Sequence, residues 1–198
     1  MNKIITATKN KGKIAEIKQI LKDLPAEVVS MVEEGINLEI VENGQTFEEN
    51  ALIKARAIKE HTNGIALADD SGLVVDALDG APGVYSSRFA GEPSNDDKNN
   101  EKLLSMMNGI EQTKRTARFI CVIAVIMNDG REFCVRGECE GRIGYEPKGS
   151  NGFGYDPLFF MPEYGKTMAE LEPGIKNQIS HRAKALEKFK IELKKLLV

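Results

Sequence analysis

Apolar and polar positions alternate along the chain in blocks whose period switches between two and about 3.6 residues. Lys3 to Ala7 is a short β-branched run, and the polar segment Thr8-Lys9-Asn10-Lys11-Gly12-Lys13 comes next. Ile14, Ile17, Leu21 and Leu24 then mark one face of a helix, which Pro25 stops. Val28, Val29 and Met31 predict a second strand, succeeded by a polar loop rich in glutamate. Thr46 caps the next predicted helix, with Glu49 as its capping-box partner. Phe47, Ala51, Ala55 and Ile58 give that helix a buried stripe. Ile65 to Ala68 predicts a strand ending in Asp69-Asp70-Ser71-Gly72, after which Leu73 to Val75 resumes the apolar pattern.

Glycines and prolines between Gly80 and Pro93 mark an ordered functional loop, and a helix is expected over Asp96 to Met107. From Arg118 to Met127 both alternating sets of side chains are apolar, the pattern of a strand covered on both faces. Asn128-Asp129-Gly130 makes a tight turn, and Glu132 to Glu140 returns as the other arm of a hairpin. A glycine-rich stretch covers Gly141 to Tyr155. The last helix carries Ala183, Leu186, Phe189, Leu193 and Leu196 on one stripe. Strands alternating with helices, plus one long hairpin, imply a layered α/β fold with a mixed sheet flanked by helices.

Composition narrows the function classes. The 198 residues fit one domain, 1–198, with room for a buried core. Lys and Arg number 27 against 30 Asp and Glu, a formal net charge of −3, which argues against a broad basic face for nucleic acid. The longest apolar run, Phe119 to Met127, is far short of the ~20 residues of a membrane span. Three cysteines without a CxxC pair suit a reducing compartment, and two histidines make a zinc site improbable. The expectation is a soluble cytoplasmic protein with no nucleic-acid or membrane partner.

Four clusters carry candidate chemistry. Thr8 to Lys13 lies between a strand and a helix N-terminus, where outward backbone N–H groups and the helix dipole favour an anion. It reads either as a phosphate cradle or as a lysine-rich solvated turn, and Ile14 after Lys13 rules out a Walker A loop. The adjacent carboxylates Asp69 and Asp70 are costly at a strand end unless a cation or donors compensate. They point to opposite faces, so one is placed to hold a hard metal, the other reading being a polar turn. In Ser150 to Asp156 the glycines allow close approach, Phe153 and Tyr155 offer flat faces to a nucleobase, and Asp156 is an acceptor for base N–H groups. The plainer reading there is aromatics packed on the core. Finally, Lys176, His181 and Arg182 put donors at the start of the last helix, where the dipole disfavours positive charge. Alone they also fit a solvated basic turn. Together the clusters describe a nucleotide pocket.

Six motifs in order resemble a known family. They are Thr8-Lys9-Asn10-Lys11-Gly12-Lys13, Thr46-Phe47-Glu48-Glu49-Asn50-Ala51 with Lys54-Ala55, and Ala68-Asp69-Asp70-Ser71-Gly72-Leu73. Gly80-Ala81-Pro82-Gly83-Val84-Tyr85-Ser86, Gly152-Phe153-Gly154-Tyr155-Asp156-Pro157 and Ile179-Ser180-His181-Arg182 complete the set. Across nearly the whole chain the sequence resembles the inosine/xanthosine triphosphate pyrophosphatases, also called XTP/dITP diphosphatases.

The resemblance implies an elongated sheet with two lobes around a nucleotide cleft, and a magnesium-dependent homodimeric hydrolase. Its substrates would be ITP, dITP and XTP, cleaved to monophosphate and pyrophosphate to cleanse the nucleotide pool. It further implies that Thr8, Lys9, Asn10, Lys11, Gly12 and Lys13 grip the phosphates together with Lys54. Asp70 is the implied catalytic carboxylate and metal ligand, and Ser71 touches substrate. Phe153, Gly154, Tyr155 and Asp156 would bind the nucleoside, with Lys176, His181 and Arg182 closing over the base. The chain departs from the family in two places. Lys9 stands where glycine is common, and the usual glutamate position is Val41, so Glu42 is taken as the second magnesium ligand, with Glu39 the alternative. A non-catalytic nucleotide sensor and a single-strand RNA binder are the readings from other classes.

Overall fold

The computed structural model describes residues 2–196. Its elements are β1 (Asn2–Thr6), α1 (Lys11–Ile20), β2 (Ala26–Ser30), α2 (Phe47–Lys59), β3 (Ile65–Val75) and α3 (Asp96–Met106). Then come β4 (Thr116–Ile126), β5 (Glu132–Ile143), β6 (Phe159–Met161), β7 (Lys166–Thr167), α4 (Pro173–Ile179) and α5 (His181–Leu196). One mixed sheet has the strand order β2-β1-β3-β4-β5-β6-β7. β1 pairs parallel with β2, Ile4 opposite Val28, and parallel with β3, Ile4 opposite Ile65. β6 pairs antiparallel with β5, Arg142 opposite Phe160, and with β7, Phe160 opposite Thr167. Among the described residues no helix is long and apolar enough to cross a membrane.

The chain divides into two compact units. The first takes the residues up to Asp70, Cys121–Gly137 and those from Arg182 on; the second takes Ser71–Ile120 and Glu138–His181. In the first unit, Ile17, Ile20 and Leu21 of the α1 region and Leu186, Phe189 and Leu193 of α5 pack with Ile4, Ile65, Leu67, Ile123 and Val125 of the strands. Phe189 is fully buried, so its truncation to alanine would cost about 3–5 kcal/mol. The helical stripe expected on α2 is buried at Phe47, Ala51, Ala55 and Ile58, and the Thr46–Glu49 capping box is formed. In the second unit, Leu103 and Met107 from the α3 region pack with Leu73, Phe119, Ile143, Phe159 and Met168. β4 is buried on both alternating sets, as its sequence demands.

Two expectations change. The strand expected to end at Asp69-Asp70 runs on as β3 to Val75, because both acids meet cations and the ladder has no reason to break. Between the glycine-rich stretch and the final helix lie elements that the pattern did not predict. β6 and β7 are too short to show a period, and α4, opened by a proline in its first turn, precedes the expected final helix.

Candidate active site

The turn after β1 is built by its own side chains. Thr8 Oγ1 accepts from the Asn10 N–H at 3.1 Å, and Asn10 caps α1 by accepting from the Lys13 N–H at 3.0 Å. Both polar groups therefore shape the loop, while Lys9 and Lys11 are exposed and Gly12 is half-buried. Lys13 reaches out of the first turn of α1, and its ammonium lies 2.6 Å from Asp69 Oδ1.

Asp69 is buried and heavily compensated. Arg182 donates to it through Nε at 2.7 Å and Nη2 at 3.3 Å, and the Cys121 thiol lies 3.1 Å from Oδ2. Arg182 Nη1 also meets Glu16 Oε2 at 2.5 Å, so a side chain one turn beyond Lys13 on α1 closes the network. Burial opposes ionisation of Asp69, but Arg182 and Lys13 outweigh it and hold the carboxyl well below the usual carboxylate range. Burial pushes the Cys121 thiol up, and Asp69 adds to that, so the thiol is a donor and not a nucleophile.

Asp70, the next residue, sits in a different electrostatic setting. Lys54 Nζ lies 2.6 Å from Asp70 Oδ1 and 2.8 Å from Glu42 Oε2. Burial pushes the Asp70 carboxyl up to about 6, with Glu42 adding to the rise while Lys54 and Lys13 oppose it. Burial also works against Glu42, but Lys54 and a hydrogen bond with Asp70 pull it below its ordinary value. Lys54 is held charged because the two acids outweigh its own desolvation. The loop bearing Glu42 is tied to α2 at two points: Asn50 Oδ1 accepts from Gly44 N–H at 2.8 Å, and Glu49 accepts from Gln45 N–H at 2.6 Å. A Cβ at Gly44 would come 2.7 Å from Asn50 Oδ1, so glycine permits that tie. Asn50 and Lys54 are one turn apart on the same buried face, which is why Glu42 meets Lys54. Glu39 is exposed.

In the second unit the segment from Gly152 to Asp156 forms a closed turn. Phe153 N–H donates to Asp156 Oδ2 at 2.9 Å, and Lys176 forms a buried ion pair with the same oxygen. The Lys176 ammonium also lies 4.6 Å from the centroid of the Phe153 ring. Gly152 has φ +79°, and a Cβ there would collide with Asp156 Oδ2, so no other residue fits. Tyr155 is core, not platform: it is 5% exposed, and its hydroxyl donates to the Ser86 carbonyl at 2.8 Å. Burial pushes that hydroxyl up, which keeps it a donor. Phe153 is half-buried. His181 is buried and stacks on Phe119 with centroids 4.7 Å apart, and Ser71 is half-buried.

The candidate residues thus fall into two sets. Thr8 to Lys13, Glu42, Lys54, Asp70 and Arg182 belong to the first unit; Ser71, Phe153 to Asp156, Lys176 and His181 belong to the second. Three side chains do something other than expected. Arg182 is an ion-pair partner of Asp69 and Glu16, 1% exposed, not a donor aimed outward. Asp156 is engaged by Lys176 and the Phe153 N–H, and Tyr155 packs inward. Sequence reasoning missed Glu16 and Ser86. The Glu16 signal was its position three residues after Lys13 on α1, one helical neighbour away; Ser86 stood in the Gly80–Ser86 motif without a role, and it accepts from the Tyr155 hydroxyl through its carbonyl.

Asp70 and Glu42 supply hard oxygen donors, the kind a magnesium ion takes in ones or twos while substrate phosphates and waters complete its octahedron. Among the described residues no group of three or more His, Cys, Asp or Glu converges; Asp70 and Glu42 meet through their shared partner Lys54.

These features define a mixed α/β protein of the Ham1 family: the family model matches residues 4–192, and the chain belongs to that family. It is 54% identical over 196 residues to the dITP/XTP pyrophosphatase of Desulforamulus reducens, covering 99% of this chain and 98% of the relative. Among solved structures it is similar to a HAM1 protein from Coxiella burnetii, with TM-score 0.88 and 44% identity over 98% of this chain and 100% of that one. The Staphylococcus aureus Ham1 protein matches with TM-score 0.86 and 41% identity, over 98% of each chain.

Proposed function

We propose that this protein is a hydrolase that cleaves non-standard purine nucleoside triphosphates, dITP, ITP and XTP, to the monophosphate and pyrophosphate. The observation that carries the reading is the Lys54 ammonium held between Asp70 and Glu42, beside the Lys13–Asp69 pair. The name of the Desulforamulus reducens relative supports the substrate class.

On this reading Asp70 is the general base. A carboxyl pushed up to about 6 is a stronger base than an ordinary aspartate and is still mostly ionised near neutrality. It takes a proton from a water whose oxygen attacks the α-phosphorus. The bond from that phosphorus to the bridging oxygen breaks, and its electron pair leaves with pyrophosphate. Lys54 holds Asp70 Oδ1 at 2.6 Å and so fixes the orientation of the carboxylate that accepts the proton. Lys13, anchored on Asp69, places its charge beside the phosphates, and the first turn of α1 adds its dipole. Little covalent work is required of the protein, so positioning supplies most of the rate. Magnesium held by Asp70 and Glu42 would supply charge neutralisation at phosphate oxygens and a water of lowered pKa.

Base choice rests on donors. A 6-oxo purine presents an acceptor where adenine presents an amino group, and Lys176, held over Phe153, is a three-hydrogen donor. Against adenine that donor meets another donor, the mismatch that gives large discrimination. A homodimer working in the cytoplasm is carried over from the family resemblance as part of the same proposal.

The test is pyrophosphate release from ITP, dITP, XTP and ATP, with and without magnesium. Fast release from the first three, slow release from ATP and dependence on magnesium are expected. Release of inorganic phosphate, or equal rates on ATP, would overturn the assignment.

A further inference from the structure

The first turn of α3 grips the turn that carries Phe153. Gly154 N–H donates to Asp96 Oδ2 at 2.8 Å, and Gly154 C=O accepts from Asn100 Nδ2 at 2.9 Å. Asp96 and Asn100 are four residues apart, on one face of α3, so both groups of a single residue are held by one helix. Gly154 has φ +62°, and a glycine there moves between left- and right-handed backbone at little cost. Two bonds, one to its N–H and one to its C=O, select one state of that residue, and with it the orientation of the ring that precedes it.

The neighbouring side chain on α3 serves a second loop. Asn99 accepts from Ala90 N–H at 2.7 Å and donates to Ser87 C=O at 3.1 Å. The two loops are also tied to each other, since the Tyr155 hydroxyl donates to Ser86 C=O. Asn100 serves this arrangement at a cost: its Oδ1 is buried without a hydrogen-bond partner, a desolvation that an apolar side chain would avoid. Its bond to Gly154 C=O is what it supplies in return.

We propose that Asp96 and Asn100 are positioning residues for base recognition: they fix the Gly154 peptide so that the Phe153 ring and Lys176 are held in the geometry that selects the purine. The inference rests on the reading of that turn as the base site. Neither residue touches substrate or takes part in hydrolysis, so their loss shows in KM for the nucleotide and not in turnover.

The experiment is steady-state kinetics on the full chain, with inorganic tripolyphosphate as a competitive probe that has the phosphates but no base. Asp96→Ala and Asn100→Ala should each raise KM for ITP by up to about tenfold, the worth of one lost hydrogen bond, with kcat within about twofold. The tripolyphosphate inhibition constant should stay at its wild-type value, and Asp96→Asn, which keeps an acceptor, should restore KM. Should either alanine variant fail to fold, Asn100→Asp carries the test, since a carboxylate cannot donate to Gly154 C=O and should raise KM likewise. An unchanged KM for ITP, or an equal shift for tripolyphosphate, overturns the inference. Phe153→Ala separates the two levels. If it raises KM while the α3 variants do not, only the clamp is wrong; if it too leaves KM unchanged, the base-site reading itself fails.

Discussion

Asp69 and Asp70 are consecutive in β3 and have opposite acid strengths. Asp69 is held well below the usual carboxylate range, while Asp70 is pushed up to about 6. Both are buried, so desolvation alone does not separate them. The difference lies in how cations are shared. Asp69 has both a guanidinium and an ammonium, whereas Asp70 divides the ammonium of Lys54 with Glu42. One acid therefore stays a fixed anchor and the other is available to exchange protons, the separation expected of a working acid–base site.

Asp70→Asn should abolish turnover and leave the fold. The amide keeps the shape and can still accept from Lys54, but it no longer takes a proton. A loss of about 10²–10⁴-fold is expected in kcat. Thermal melting at wild-type temperature checks the fold, and retention of more than about a tenth of the activity would remove Asp70 from the role of base.

Metal dependence separates Glu42 from Glu39. Chelation should stop pyrophosphate release, and Glu42→Gln should raise the magnesium concentration needed for half-maximal activity far more than Glu39→Gln. The reason is placement: Glu42 shares Lys54 with Asp70, while Glu39 is exposed. Magnesium titrations of both variants measure it. Greater sensitivity at Glu39 would move the second ligand there.

The sequence made the elements legible wherever one period ran long enough. The β4–β5 hairpin, the capped α2 and the α5 stripe come from alternation and helical spacing, whereas β6 and β7 are too short to carry either. Site residues were legible as types and less so as roles. Lys54 and Asp70 were singled out by motif, yet Glu42, which shares the Lys54 ammonium with Asp70, is placed by the Gly44–Asn50 contact that ties its loop to α2. Arg182 was singled out because a helix start disfavours a cation, which suggested a ligand as its compensator. Its compensators are Asp69 and Glu16, far away in sequence, and no local pattern reveals such a pair.

Acid should reveal the Lys18–Glu33 pair. Glu33 is pulled down to about 2 from an ordinary 4.5, first by the Lys18 ammonium at 2.7 Å and then by the Ser30 N–H. A carboxyl with a depressed folded pKa stabilises the fold above its unfolded value and loses that contribution as pH falls through the folded one. Wild type should therefore exceed Glu33→Gln in stability at neutral pH, and the gap should close between pH about 4.5 and about 2. Denaturant melts across that range measure it. A gap that persists at the acid end would mean the difference is not electrostatic.

Arg182 tests whether base selection and the charged network are separate. Its guanidinium is buried and pairs with Asp69 and Glu16, so Arg182→Ala strips both acids of that cation and leaves Asp69 leaning on Lys13. Breaking a buried pair from one side costs about 3–5 kcal/mol, because the remaining charge is stranded. The variant should melt at a clearly lower temperature. Lys13 should lose its fixed position as Asp69 shifts, and Lys13 bears on the phosphates that every nucleoside triphosphate has. kcat/KM should therefore fall by similar factors on ITP and ATP, leaving their ratio near the wild-type value. Lys176→Met should behave in the opposite way. It removes the ammonium above Phe153 and keeps the apolar stem, so the loss should concentrate on ITP and the ratio should shrink. Melting curves and paired assays on the two substrates measure both variants. A stable Arg182→Ala protein with a loss confined to ITP would return Arg182 to the base and leave the Asp69 pair as incidental.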